Sequence, residues 1–380
     1  MSETLYRKYR PKIFSEVVGQ EHIVRTLMGA LSTGRIGHAF LFTGPRGTGK
    51  TTLARIFAKA LNCADFPKNE IFDGKSSVRR SFSEGGLPCN KCPSCLAANF
   101  GNSLDLIEID GASNRNIDDV RSLKESANVA APSGGYKVFI IDEVHMFHKE
   151  SFNALLKLLE EPPSHVVFML ATTEPHKIIP TVLSRVQRFD FKRLTLVQIL
   201  QKLTSIVKAE KINIEDGALK AIALSSDGAL RDAEVSLAKV RSVAGTNKIT
   251  AELTAEALGL IPANYHPEFF GYLVSGDKVS ALNLIQKMHE SGIDLENFAK
   301  DFLEYSRKVL MAKINPAVLA SVGEEMPGQA ATGALAHQVD GKRFIRLIQL
   351  FTSARNEMKS SPIIQLPLEL AVIEYCGDQG

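Results

Sequence analysis

Residues 44–51 read Gly-Pro-Arg-Gly-Thr-Gly-Lys-Thr, a G-x-x-x-x-G-K-[ST] loop. An apolar run at 38–43 leads straight into it, and a helical pattern over 51–61 follows. Strand, glycine loop and helix in that order form a phosphate cradle. Glycines let the backbone curl until its N–H groups point inward, and the helix start adds positive potential. The loop therefore predicts phosphate contacts from Gly44, Pro45, Arg46, Gly47, Thr48, Gly49, Lys50, Thr51 and Thr52. Lys50 would reach the β- and γ-phosphates, and the Thr51 hydroxyl would ligate Mg²⁺.

Such a loop needs a sheet behind it. Apolar runs at 38–43, 104–109, 137–141 and 166–171 alternate with helical patterns, which predicts a parallel sheet whose strands are buried on both faces. Over 149–160, Phe152, Leu155, Leu156 and Leu159 fall at i, i+3, i+4 and i+7, and Pro162 and Pro163 end the helix. This βαβ pattern extends to about residue 192. Beyond 195 strand-like runs vanish. Residues 195–244 predict a small helical bundle and 250–374 a second one, with a loop or weak helix at 323–339 and a frayed end at 377–380.

At 380 residues the chain has room for two or three domains. A net charge of +3 excludes a generally basic nucleic-acid coat, and 27 glycines with 16 prolines exclude a collagen-like or disordered chain. No run reaches the roughly 18 apolar residues of a membrane span. The start carries Arg7, Lys8 and Arg10 without an apolar leader. A cytoplasmic location is the expectation.

Residues 138–143 form an apolar strand ending in Asp142 and Glu143. Asp142 would hold Mg²⁺, and Glu143 would polarise an attacking water as general base. Together with the glycine loop this points to nucleotide hydrolysis. Thr172 and Thr173 end the next strand, where a hydroxyl can watch the γ-phosphate or simply cap the strand. Arg185 suits an arginine finger or a surface arginine, and Arg231 a γ-phosphate contact or a salt-bridged helix residue. The segment Val17-Val18-Gly19-Gln20 suits an adenine pocket or plain core.

Cys89, Cys92 and Cys95 share C-x-x-C spacing, with Cys63 upstream. Four thiolates suit one closed, structural Zn²⁺; an iron–sulfur cluster is the competitor. Cys376 reads as an ordinary cysteine.

These residues resemble the AAA+ family, and within it the bacterial DNA polymerase III gamma/tau subunits, ATPases of the sliding-clamp loader. The resemblance rests on Tyr9-Arg-Pro11, Val17-to-His22, the glycine loop, the four cysteines, Asp142-Glu-Val-His145, Phe152-to-Lys157, Leu159-to-Pro163, Ala171-to-Thr173, Leu183-Ser-Arg185 and Gly228-to-Asp232. It implies an α/β P-loop ATPase domain over 1–193 with a Cys₄ zinc module at 63–95. An all-α lid over 194–246 and an all-α collar over 247–375 would follow. It implies a ring-like pentamer with delta-type and delta-prime-type subunits and further copies of this chain. ATP and Mg²⁺ would sit at subunit boundaries, Arg185 would complete the neighbouring site, and Arg231 would act within its own. Thr172 and Thr173 cover the first sensor position. ATP binding would open a sliding clamp and grip primer–template DNA through phosphates, and hydrolysis would release the clamp. No polymerase chemistry is implied.

The sequence departs from the family in three places. Twenty-five residues separate Cys63 from Cys89, and within 65–88 Lys75, Arg79 and Arg80 suit a solvated loop or a contact with DNA or a partner. Val186 replaces a usual cysteine. Ending at 380, the chain resembles the short gamma form. The alternatives are a AAA+ helicase or branch-migration motor, disfavoured by the Cys₄ insert, and an inactive scaffold of the ring, disfavoured by Lys50, Thr51, Asp142 and Glu143.

Overall fold

The computed structural model describes residues 4–65, 87–132, 135–262, 264–314 and 340–377. Residues 66–86, with Lys75, Arg79 and Arg80, lie outside it, as do 323–339 and 378–380. The chain forms two compact units, Met1–Ala251 and Glu252–Gly380.

The first unit opens with α1 (Leu5–Lys8), α2 (Glu21–Thr33), β1 (Ala39–Thr43), α3 (Lys50–Leu61) and α4 (Pro93–Asn99). It continues through β2 (Leu106–Asp110), α5 (Ile117–Ala127), β3 (Lys137–Asp142), α6 (Lys149–Glu160), β4 (Val166–Thr172), α7 (Pro180–Leu183) and β5 (Gln187–Asp190). The strands form one parallel sheet in the order β2-β3-β4-β1-β5. Period-two alternation splits its side chains between two cores. Phe40, Phe42, Val138, Ile140, Val167 and Met169 pack with α2 and α3. Leu41, Phe139, Ile141, Phe168 and Leu170 pack with α5 and α6. This is the expected α/β layering, with helices on both faces.

Two details differ from the sequence expectation. β1, β3 and β4 are buried on both faces, but β2 is an edge strand and stays half-exposed; the other edge strand, β5, lies outside the four apolar runs and is mostly exposed. In α6 the core takes Leu158, while Leu156 is only partly buried; the buried stripe is set by the neighbouring helices rather than by an ideal i+4 step.

Register aligns the carboxyl ends of the strands. Thr43 stands beside Thr172 and Asp190, and Asp110 beside Asp142. That edge is where ligands bind in open parallel sheets. The lid follows as α8 (Leu196–Glu210), α9 (Asp216–Ser225) and α10 (Leu230–Ala244). A capping box starts α8: the Gln198 N–H donates to the Thr195 hydroxyl oxygen and the Thr195 N–H to the Gln198 side chain. The lid is anchored by Leu194, whose N–H donates to the Gly228 carbonyl at 3.0 Å. The buried Gln20 amide pairs with both backbone groups of Lys192.

The second unit is helical. It holds most of α11 (Ala251–Leu258), then α12 (Tyr265–Ser275), α13 (Lys278–Glu290), α14 (Leu295–Ile314), α15 (Gly341–Met358) and α16 (Leu366–Gly377). Its core holds an aromatic cluster: Phe269 meets Phe302 edge-on at 4.9 Å, and Phe302 meets Phe351 at 5.1 Å. Burial lowers the His266 pKa to about 4, so its ring stacks on Phe298 in the neutral form. No helix among the described residues is long and apolar enough to cross a membrane.

Candidate functional site

The glycine loop joins β1 to α3 at the carboxyl edge of the sheet. Two of its glycines are required by close approach. A side chain at Gly44 (φ +141°) would put Cβ 2.5 Å from the Phe191 carbonyl oxygen. One at Gly47 (φ +78°) would meet the Ala229 Cβ at 2.9 Å. The second contact brings the lid against the loop. Lys50 opens α3 and is buried; its ammonium donates to the Gly44 and Pro45 carbonyls at 2.8 and 2.9 Å. Burial lowers its pKa, against the opposing pull of Glu143 and Asp142.

The carboxylates close the other side. The Thr51 hydroxyl donates to Asp142 Oδ2 at 2.7 Å. Glu143 follows in the left-handed region (φ +47°), an unusual conformation for a side-chain-bearing residue, and this turns its carboxylate back toward β4. There Glu143 Oε2 accepts from the Thr173 hydroxyl at 3.0 Å and the Thr173 N–H at 3.2 Å. His145 Nδ1 lies 3.4 Å from the same oxygen.

A cavity of about 770 Å³ gathers these groups. Of the residues singled out in the sequence it brings together Val18, Arg46, Gly47, Thr48, Gly49, Lys50, Thr51, Thr52, Asp142, Glu143, Thr173 and Arg231. Gly44 and Pro45 stand behind the loop and hold Lys50. The two threonines separate: Thr173 lines the cavity, whereas Thr172 is fully buried, with its hydroxyl 3.0 Å from His145 Nδ1 and accepting from the Glu174 N–H. Arg231 enters from the first turn of α10, its guanidinium 5.1 Å from the centre of the Tyr6 ring. Arg185 is not among the lining residues; it pairs with Glu160 at 2.8 Å and donates to the Thr181 carbonyl.

The cavity also has walls outside the sequence motifs, Tyr6, Asp110, Leu194 and Glu234, and it takes in Arg10 and His145, which the motifs contain without assigning them a role. Glu234 is 5% exposed, and burial pushes its carboxyl up to about 7 despite nearby Lys202 and Arg10. It had a sequence signal, since a carboxylate sits in a helix whose neighbours Ala233 and Leu237 face the core.

The four cysteines converge at the end of α3. Their Sγ atoms all lie within 4.8 Å of one another, and none is disulfide-bonded. A tetrahedral ion with Zn–S bonds of about 2.3 Å wants sulfurs about 3.8 Å apart, so the donor set and span fit Zn²⁺. Backbone N–H groups face the sulfurs: Cys89 toward Cys63 at 3.3 Å, Cys92 toward Cys89 at 3.4 Å, and Cys95 toward Cys92 at 3.5 Å. Burial opposes ionisation at Cys92, yet hydrogen bonds from Ala64 and Cys95 bring it down to about 7. Beside them Lys59, 6% exposed, donates to the Lys12 carbonyl and to the Asn90 and Asn99 side chains at 3.2, 2.8 and 2.9 Å.

Comparison with known proteins matches three family models in succession. These are the DNA polymerase III delta subunit over residues 19–195, the DNA polymerase III clamp loader subunit ATPase lid domain over 198–238, and the DNA polymerase III subunits gamma and tau domain III over 249–379. The chain is 38% identical to the DNA polymerase III subunit tau of Bacillus subtilis, with 98% of this chain covering 63% of that one. It is 36% identical to the DNA polymerase III subunit gamma of Buchnera aphidicola, with 83% of this chain covering 80% of that one. Among the first curated relatives the chain spans roughly half to two thirds of their length, 47% at the low end and 63% at the high end. The solved branch-migration motor RuvB of Thermotoga maritima overlays 70% of this chain, 79% of its own, at a TM-score of 0.46 and 20% identity.

Proposed function

Because the chain belongs to the DNA polymerase III gamma/tau subunit family, we propose that it binds and hydrolyses ATP as one subunit of a sliding-clamp loader. One observation carries the reading: Lys50, Thr51, Asp142, Glu143 and Arg231 face a single cavity built on the carboxyl edge of a parallel sheet. Lys50, the loop N–H groups and the start of α3 bind the phosphates. Arg231 reaches the γ-phosphate from the lid. Thr51 and Asp142 are the groups to hold Mg²⁺, which supplies charge neutralisation on the transferring phosphoryl group. Glu143 orients and polarises the attacking water, and Thr173 holds its carboxylate in place. Arg185, outside its own cavity, serves the site of an adjacent subunit.

The same reading divides the chain into an ATPase core over 1–193, a lid over 194–246 and a collar over 247–375. Cys63, Cys89, Cys92 and Cys95 hold a structural Zn²⁺ that fastens the module at 63–95. The partners are delta-type and delta-prime-type subunits, further copies of this chain, a sliding clamp and primer–template DNA, in the cytoplasm. An inactive scaffold would have no reason to keep the whole set of catalytic groups. ATP turnover by the assembled complex tests the proposal. Lys50→Ala is expected to abolish turnover stimulated by clamp and primed DNA, and undiminished turnover would overturn the reading.

A further inference from the structure

Not every polar group that lines the cavity belongs to the glycine loop or to the strand ends. α10 begins against the glycine loop, where the missing Gly47 side chain would meet Ala229 and, at 3.6 Å, the Arg231 Cβ. Glu234 comes three residues later on the same helix face, about 4.5 Å further along the axis. The charges that act on it are those of Lys202, on α8, and Arg10, rather than those of the phosphate loop. The same cavity is lined by the apolar side chains of Val17, Val18, Leu194 and Leu230, Leu230 standing one turn before Glu234 on α10, and Gly19 packs on Leu194 and Gln198. Glu234 is 5% exposed and lines the cavity; among the described residues its carboxyl accepts no hydrogen bond, and its oxygens are not among the fully enclosed unpaired atoms. A largely buried acceptor that opens only onto a cavity is completed by whatever donor occupies that cavity.

We infer that Glu234 determines base specificity: its carboxyl accepts a hydrogen bond from the exocyclic amine of a 6-aminopurine seated against Val17, Val18 and Leu194. The apolar wall suits the flat faces of the ring, and the base amine is the donor that a lone buried acceptor can select. A site built to pair with a donor discriminates against an analogue lacking it, because the buried group is then left unsatisfied. The inference rests on the ATP reading above and adds to it the means of choosing the base.

Binding to the full chain with Mg²⁺, measured by competition against a fluorescent ATP analogue, tests this. The competitors are ATP and purine riboside triphosphate, which lacks only the amine. The wild type is expected to prefer ATP by about tenfold or more, the size of one lost hydrogen bond to a buried acceptor. Glu234→Leu should bring the two ligands within about twofold, while Glu234→Gln, which keeps a carbonyl acceptor, should retain the preference. Equal binding of the two by the wild type, or a preference that survives Glu234→Leu, overturns the inference. So does a selectivity that Glu234→Leu removes for 2′-deoxy-ATP instead, because Glu234 would then read the sugar. Should the wild type bind neither ligand, the ATP reading itself fails.

Discussion

The Thr51 hydroxyl donates to the Asp142 carboxylate across 2.7 Å, joining residues 91 positions apart in the chain. The contact exists because α3 starts at the end of β1 while β3, two strands away, ends at the same edge of the sheet. It places a hydroxyl and a carboxylate together at the spot where a nucleotide-bound Mg²⁺ needs oxygen ligands. Asp142→Asn keeps the shape and removes the charge. It is expected to lower Mg²⁺-dependent ATP hydrolysis by about 100-fold or more while the melting temperature stays within a few degrees, a pairing read by steady-state turnover and calorimetry.

Glu143 is held by Thr173, so the two should fail in graded fashion. Glu143→Gln is expected to reduce turnover about 10²- to 10⁴-fold with ATP affinity nearly unchanged, as removal of a general base does. Thr173→Val removes one of two hydrogen bonds to that carboxylate and leaves the backbone N–H in place. About a tenfold loss of turnover is expected, again without loss of affinity; a large rise in the ATP dissociation constant would assign Thr173 to binding instead.

Much of this site was legible in the sequence because its parts are local. A strand, a glycine loop and a helix start are contiguous, and so are an apolar strand and its terminal carboxylates. What the sequence hid depends on long-range register. Thr172 and Thr173 are equivalent as letters; β4 turns the first into the core beside His145 and the second toward Glu143. Tyr6 and Arg10 reach the cavity from an N-terminal segment with no periodic pattern. Glu234 lies just beyond the Gly228-to-Asp232 motif, and its only sequence signal is a carboxylate on the core-facing stripe of α10. Edge strands β2 and β5 could not be told from central ones, since strand order is fixed by tertiary packing rather than by the composition of a short run.

Lys59 ties α3 to the cysteine knuckle and to the N-terminal segment through three acceptors. Lys59→Met preserves the length of the stem but leaves the Lys12, Asn90 and Asn99 oxygens without their charged donor. It is expected to cost about 2–3 kcal/mol in urea unfolding of the first unit. A change below about 0.5 kcal/mol would mean that solvent replaces the ammonium at no cost.

The cysteine cluster predicts about one zinc per chain by elemental analysis, with Cys92→Ser lowering both the content and the thermal stability. Chelation should destabilise wild-type protein by a similar amount, because metal binding here contributes to local folding. Iron in place of zinc would refute the assignment.

The Glu210 carboxylate gathers Lys8 at 2.5 Å, Arg241 at 2.9 Å and the Tyr9 hydroxyl at 2.8 Å. These hydrogen bonds, that from Lys8 first and Arg241 next, lower its pKa to about 2 from an ordinary 4.5. A depressed carboxylate pKa contributes stability that is present above about pH 4.5 and lost as pH falls toward 2. The attachment of α1 to the lid should therefore weaken over that window. In Glu210→Gln the melting temperature should depend less on pH between 4.5 and 2 than in the wild type; equal slopes would show that Glu210 does not carry this pH dependence.

In the proposed function, ATP bound and hydrolysed in this cavity drives clamp loading. The most direct measurement is the amount of clamp left on primed circular DNA by the assembled loader, with this chain either wild type or Lys50→Ala. ATP-dependent loading is expected from the wild type and loading at background from the variant, with the complex intact by mass measurement. Loading by the Lys50→Ala complex at the wild-type rate would contradict it.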